Sequence, residues 1–360
     1  MKQIFLSLAC VFSFAISSLA AEDSSVLSLF DGTPEAKSAA PQEEEKNSIF
    51  SFLNFKKPAQ EKAELTVADE KRLSPLEQSI KLADGGDLNA QLLVGYSYLY
   101  GENGAQTDYD KAFEYYAKAA LQNDSVGLNN LGSLYYSGIG VNRNTGKAAV
   151  LFEKAAKLGN PEAAVNIGFI LISGDGAQKN PAVAMDYFEQ AAESKNPTAE
   201  FMLGYAYYSG KLRPKNYALA APLLKDSAAA GFDEAQYILA LMYINGQGFP
   251  QNYNNGVKNL RLAVSQGSVD AMMTLGDILA RGTKYPKDIY TAHIMFNLAA
   301  VRGADGAAEQ RNRLEDKMKI DEILQAQTEA ERYSPKLSEL SNYTRQTFGS
   351  NVRYYIDENK

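Results

Sequence analysis

The 360-residue chain has one cysteine, one histidine and no tryptophan. Tetrahedral zinc sites are built from thiolates and imidazoles, and one of each cannot supply a ligand set. A Ser-His-acid arrangement would have to use His293, in Tyr290-Thr291-Ala292-His293-Ile294-Met295-Phe296, and no strained serine turn accompanies it. His293 therefore reads as an exposed or partly packed helix residue. Basic runs are also missing: 36 Lys and Arg stand against 43 Asp and Glu, a net charge of −7. Such a chain is a poor binder of phosphate backbones, so nucleic acid is not expected as a partner. The Gly-x-Gly pairs lack the Gly-Lys-Ser/Thr ending of a phosphate loop. Asp84 and Asp87 do not fit a calcium loop. Neither an active site, a metal site nor a cofactor is expected, and the chain is read as non-enzymatic.

What is present is 45% hydrophobic residues with 22 Tyr and 27 Gly, enough apolar material for a folded core. Residues 1–20 have the form of a secretory signal peptide: Lys2, an apolar stretch from Ile4 to Ile16, and small residues at Ser18 and Ala20. The apolar run is shorter than the ~20 residues a permanent membrane helix needs. No integral membrane segment is therefore expected in the mature chain. Ser7-Leu8-Ala9-Cys10 matches a lipobox only loosely, so cleavage near Ala20 is expected over lipidation at Cys10. The expected location is periplasmic or secreted. Residues 21–73 carry 11 acidic against 7 basic residues and no helical period, which predicts a disordered acidic tether. Within it, Ile49-Phe50-Ser51-Phe52-Leu53-Asn54-Phe55 is an apolar island, readable as linker or as a short docking motif.

The remainder is organised by a period of 36. Gly95, Gly132, Gly168, Gly204, Ala240 and Gly276 are spaced 37 and then 36 residues apart. A second Gly follows six residues later each time, from Gly101 to Gly282, and a small residue precedes by five, from Ala90 to Ala271. A small pair recurs further on, as Ala119-Ala120 and Ala155-Ala156. Each copy reads as two helices. Helix A starts at signals such as Asn160-Pro161-Glu162 and ends at the second Gly. Helix B starts at N-caps such as Asp108, Asn144 and Asn180. One copy cannot bury its apolar face alone, so the copies must stack. The predicted fold is all-α, an α/α superhelical solenoid of about six repeats over 74–332 with a capping helix at each end. The tail, 333–360, has no register to place it.

Stretches such as Ala235-Gln236-Tyr237-Ile238-Leu239-Ala240-Leu241-Met242-Tyr243-Ile244-Asn245-Gly246-Gln247-Gly248 resemble the Sel-one-like repeat (SLR) family, tetratricopeptide-like in fold. The resemblance covers about 87–304. Three departures, Ala240 for the anchor Gly, Pro222 inside helix B, and Thr283-Lys284 for the second turn Gly, predict local bends or looser turns. The resemblance implies a protein-binding role: a scaffold of envelope complexes, a regulator of membrane sensors, or an exported host-interaction factor. A cell-wall or β-lactam hydrolase is the rival from another class.

In tetratricopeptide-like stacking, the positions −3, +1 and +4 from the anchor line the concave side. They include Tyr96, Asn129, Tyr136, Phe169, Phe201, Tyr205, Tyr208, Tyr237 and Leu241, an apolar stripe where a solvated face would be polar. Two readings stay open, burial by the curl of the superhelix or a groove for a protein or peptide with Tyr and Phe as anchors. The candidate groove residues are Tyr96, Tyr136, Phe169, Phe201, Tyr205, Tyr208, Tyr237 and Leu241. Only Asn129 could serve a two-carboxylate clamp. Self-docking of the Ile49–Phe55 island into this groove is a further expectation.

Overall fold

A computed structural model describes residues 73–349 and 351–358; the leader, the tether and the Ile49–Phe55 island lie outside them. The described residues form seventeen helices and no strand, the all-α helix-turn-helix repeat class expected. They fall into two compact units, divided between Ser194 and Lys195.

The first unit holds α1 (Pro75–Asp84), α2 (Leu88–Tyr100), α3 (Tyr109–Leu121), α4 (Ser125–Ser137), α5 (Thr145–Lys157), α6 (Pro161–Ser173) and α7 (Pro181–Glu193). The second holds α8 (Pro197–Ser209), α9 (Tyr217–Ala229), α10 (Asp233–Asn245), α11 (Tyr253–Ser265), α12 (Val269–Arg281) and α13 (Ile289–Val301). It continues with α14 (Ala307–Glu315), α15 (Ile320–Glu331), α16 (Glu339–Phe348) and the short α17 (Tyr354–Asp357). From α2 to α13 the helices alternate as A and B, all 13 residues long.

Caps set that length. Helix A ends where a Gly takes the left-handed conformation, Gly138 at φ 72° for instance, a region that side chains with a Cβ enter at a cost. Helix B begins where Asp or Asn accepts a backbone N–H of the first turn. Asp108, Asn144, Asn180, Asn216, Asn252 and Asp288 all do so.

The anchor glycines serve close approach. A methyl on Gly132 would lie 2.8 Å from Cε1 of Phe152, and one on Gly168 2.8 Å from Cε1 of Phe188. Tyr116, Leu224 and Phe296 stand in the same way over Gly95, Gly204 and Gly276. Each of these five A helices thus carries a notch, and its own helix B fills it with a large side chain at a register that repeats every 36 residues. Where the anchor is Ala240, the filler is the smaller Leu260, and both are fully buried. On the other helix of this pair, a methyl on Gly256 would lie 2.6 Å from Cγ1 of Ile244. Ala240 breaks no helix. Likewise α9 runs unbroken through Pro222, and α12 is still capped by Gly282 ahead of Thr283-Lys284.

Candidate protein-binding face

In the first unit the A helices α2, α4 and α6 present the expected stripe, but much of it is core. Phe169 is buried with its ring edge-on to Phe188 at 5.3 Å. Asn129 is buried too, and its Oδ1 accepts from Asn166 Nδ2 at 3.0 Å; a satisfied buried amide is a structural bond rather than a clamp. Tyr96 and Tyr136 remain half-buried. The Tyr96 hydroxyl donates to Glu102 at 3.0 Å, and burial followed by that carboxylate pushes its pKa up to about 12. The Arg143 guanidinium lies 5.5 Å from the Tyr136 ring centroid and pairs with Asp175 at 2.8 Å.

In the second unit, Phe201 is fully buried, stacked on Tyr205 at 5.8 Å and edge-on to Phe232 at 4.7 Å. Tyr205 is buried, while Tyr208 and Tyr237 are half-buried. Leu241 is half-buried and lines an open cleft of about 350 Å³ with Ile244, Met273, Asp277 and Arg281.

What covers Tyr205 and Tyr237 is the tail. After α15 the chain runs back along the second unit. The Tyr333 hydroxyl donates to the carbonyl of Val264, and Lys336 N–H to that of Ser265 at 2.9 Å. Ser338 Oγ reaches the carbonyl of Gly231 at 2.8 Å, and its N–H donates to Gln266 Oε1 at 2.8 Å. Arg345 in α16 pairs with Asp233. Further on, Val352 N–H donates to Glu234 Oε1 at 3.1 Å. Arg353 bridges two helices: its Nε donates to Glu234 Oε2 at 2.9 Å and its Nη2 to Asp270 Oδ2 at 2.7 Å. Its guanidinium also lies 5.5 Å from the Tyr237 centroid. At the end, Asp357 accepts from Tyr205 Oη at 3.1 Å and from Lys211 Nζ at 2.9 Å. Val352 and Ile356 are buried beneath this stretch.

The electrostatics follow from the covering. Burial pushes the Glu234 carboxyl up to about 7, against the opposite pull of Arg353. Burial also works against the Arg353 charge, but Glu234 and Asp270 outweigh it and hold the guanidinium protonated more firmly than usual. Tyr205 is raised by burial and then by the Asp357 carboxylate.

Two signals bearing on this arrangement stand in the repeat. Five A helices begin at a side-chain N-cap: Asp87, Asp124, Asn160, Asn196 and Ser268. The sixth has Phe232 in that register and makes no side-chain cap of its own. The hydroxyl of Ser341 supplies it, accepting from Asp233 N–H at 3.0 Å. The second signal is Asp233-Glu234, two adjacent carboxylates that are both buried in the first turn of α10.

Three comparisons bear on the family. The Sel1 repeat model matches six consecutive segments, residues 88–124, 125–160, 161–196, 197–232, 233–268 and 269–303, well over half of the sequence. The chain belongs to the Sel1 repeat family. Sel1 repeat proteins are generally non-enzymatic scaffolds for protein interaction. No curated protein matches the chain. Among solved structures, a Sel1 repeat protein from Oxalobacter formigenes is similar at TM-score 0.56 and 24% identity, over 69% of this chain and 98% of that one. A protective antigen of uropathogenic Escherichia coli with an SLR fold is similar at TM-score 0.54 and 24% identity, over 77% of this chain and 67% of that one. At these identities the likeness is one of fold.

His293 corrects an expectation. It is fully buried in α13, not exposed or partly packed, with Nε2 3.0 Å from Glu315 Oε1. The cause is α14, which packs on α13 and brings Glu315 to the ring. Among the described residues no group of three His, Cys, Asp or Glu is placed to hold a metal. No described helix is long and apolar enough to cross a membrane.

Proposed function

We propose that the chain is an adaptor of the cell envelope, periplasmic or secreted, which captures a protein or peptide partner on the faces of its A helices. The observation that supports this most is the tail. On the second unit, the A-helix face holds the short segment 351–358 through ion pairs, an aromatic-guanidinium contact and buried aliphatic side chains, the means by which peptides are bound. The leader-like residues 1–20 support export, and the lack of a candidate nucleophile beside His293 favours binding over hydrolysis. On the first unit, Tyr96 and Tyr136 are the anchors, since the more deeply placed Phe169 serves the core.

The test has two parts. N-terminal sequencing of the exported protein should begin at Ala21, and retention of residues 1–20 in the cytoplasm would reject the envelope location. Crosslinking in envelope fractions, followed by mass spectrometry, identifies the captured protein. Tyr96→Ser with Tyr136→Ser should reduce its recovery severalfold while helical circular dichroism is unchanged. Undiminished capture by that folded variant would remove the first unit's face from the proposal.

A further inference from the structure

The tail is not uniform. Its first part is fixed structure, because Ser341 caps α10 and Ser338 closes the carbonyl of Gly231. Residues 351–358 cap nothing and end in the four-residue α17. They are held at two charged points with Val352 and Ile356 buried in the same stretch.

Glu234 sets the chemistry at the first point. It is buried, Asp233 precedes it, and Asp270 shares its partner. If Arg353 leaves, the Glu234 carboxyl loses its charge partner and two of its hydrogen bonds. A segment that brings a cation to this place is therefore favoured over one that does not. The geometry asks for a guanidinium in particular, since Nε serves one carboxylate and Nη2 the other, a fork that an ammonium cannot reproduce. The second point has the opposite polarity. Lys211 and the Tyr205 hydroxyl both donate, so it asks for a carboxylate. Arg353 and Asp357 are four residues apart, one turn of helix.

We propose that residues 351–358 are a displaceable resident ligand of this face, and that the face binds a segment of another protein carrying an arginine and, one helical turn later, a carboxylate. The inference rests on the binding role proposed above and names the partner's chemistry. Its test needs no natural partner, so failure here leaves capture on the first unit standing.

The probe is a fluorescein-labelled peptide with the sequence of residues 349–360, read by anisotropy against the full chain. In the wild type the attached tail competes at a high effective concentration. In the full-length Arg353→Glu variant the tail is repelled by Glu234, and the peptide should bind at least about tenfold tighter than to wild type. A peptide carrying the same Arg→Glu change should bind neither. Asp357→Ala is a second, milder release that leaves Arg353 in place and should give a smaller gain. Circular dichroism establishes that both chains are folded. Equal affinity for wild type and variants, or no binding to either folded variant, overturns the proposal. Tail exchange between two wild-type chains, seen as a concentration-dependent dimer by light scattering, would assign the face to a second copy and overturn it as well.

Discussion

The two units are built from the same helix pairs with the same notches and caps, yet their A-helix faces are finished differently. In the first, Asn129, Val165 and Phe169 are buried, Asn129 bonded to Asn166 and Phe169 packed on Phe188, and Tyr96 and Tyr136 stay half-buried. In the second, the corresponding region carries the acidic residues Asp233, Glu234 and Asp270, and the tail, 83 to 119 residues away in sequence, pairs with them. A repeat array can thus vary what its face recognises without changing its core, because the notch residues and the face residues occupy different registers of one helix. In the second unit the variation goes so far that one helix A has given up its own N-cap for a hydroxyl brought by the tail.

The sharpest way to break this contrast is Arg353→Ala. Removing one partner of a buried ion pair costs about 3–5 kcal/mol, and the loss should be confined to the second unit. Thermal melting followed by limited proteolysis should show cleavage C-terminal to residue 195 first, with 73–194 intact; equal susceptibility of the two units would contradict it. Next in size is the notch. Gly132→Val forces Phe152 aside and should cost about 1–3 kcal/mol, whereas Ala240→Gly meets no such ring and should cost about 1 kcal/mol or less through helix propensity. Similar losses at the two positions in urea titrations would show that the notch is not what the anchor glycine serves. Ser341→Ala removes the borrowed cap and should cost about 1 kcal/mol, whereas an exposed serine such as Ser137 changed to Ala should leave the midpoint unmoved.

The last effect is that of pH. Glu234 sits above its unfolded value of 4.5, at about 7, so the folded chain holds the extra proton between those values. The stability from this group is fully present below about 4.5 and lost as pH rises through about 7. Glu234→Gln cannot titrate. Its melting temperature should therefore vary less than the wild type's between pH 5 and 8. A steeper fall in the variant would contradict the burial of this carboxyl.

The array was legible in the sequence because its contacts recur at a fixed spacing. The C-cap glycines, the Asn and Asp caps of helix B and the anchor positions all fell on registers that could be compared across copies, and each is where the spacing put it. The ring-filling register, from Tyr116 to Phe296, was equally periodic and could have been paired with the anchors. The tail was illegible for the opposite reason. Arg353 meets Glu234 and Asp357 meets Tyr205 across 119 and 152 residues of sequence, and a segment that occurs once offers no copy to compare. Its trace in the sequence was indirect: Phe232 at a position where five other A helices have a capping side chain. His293 was misread because its burial depends on α14, which likewise lies outside the period. The candidate face was read as one stripe; packing divides it into Phe169 and Phe201 in the core, Tyr205 and Tyr237 under the tail, and Tyr96, Tyr136, Tyr208 and Leu241 half-buried.

Hydrogen exchange of the full chain, compared between wild type and Arg353→Glu, tests the docked tail most directly. Amides of residues 351–358 should exchange markedly faster in the variant, while those of α16 and of α2 to α7 keep their protection. Unchanged exchange in 351–358, or a loss of protection spread evenly over both units, would show that the tail does not finish the second face in the manner described.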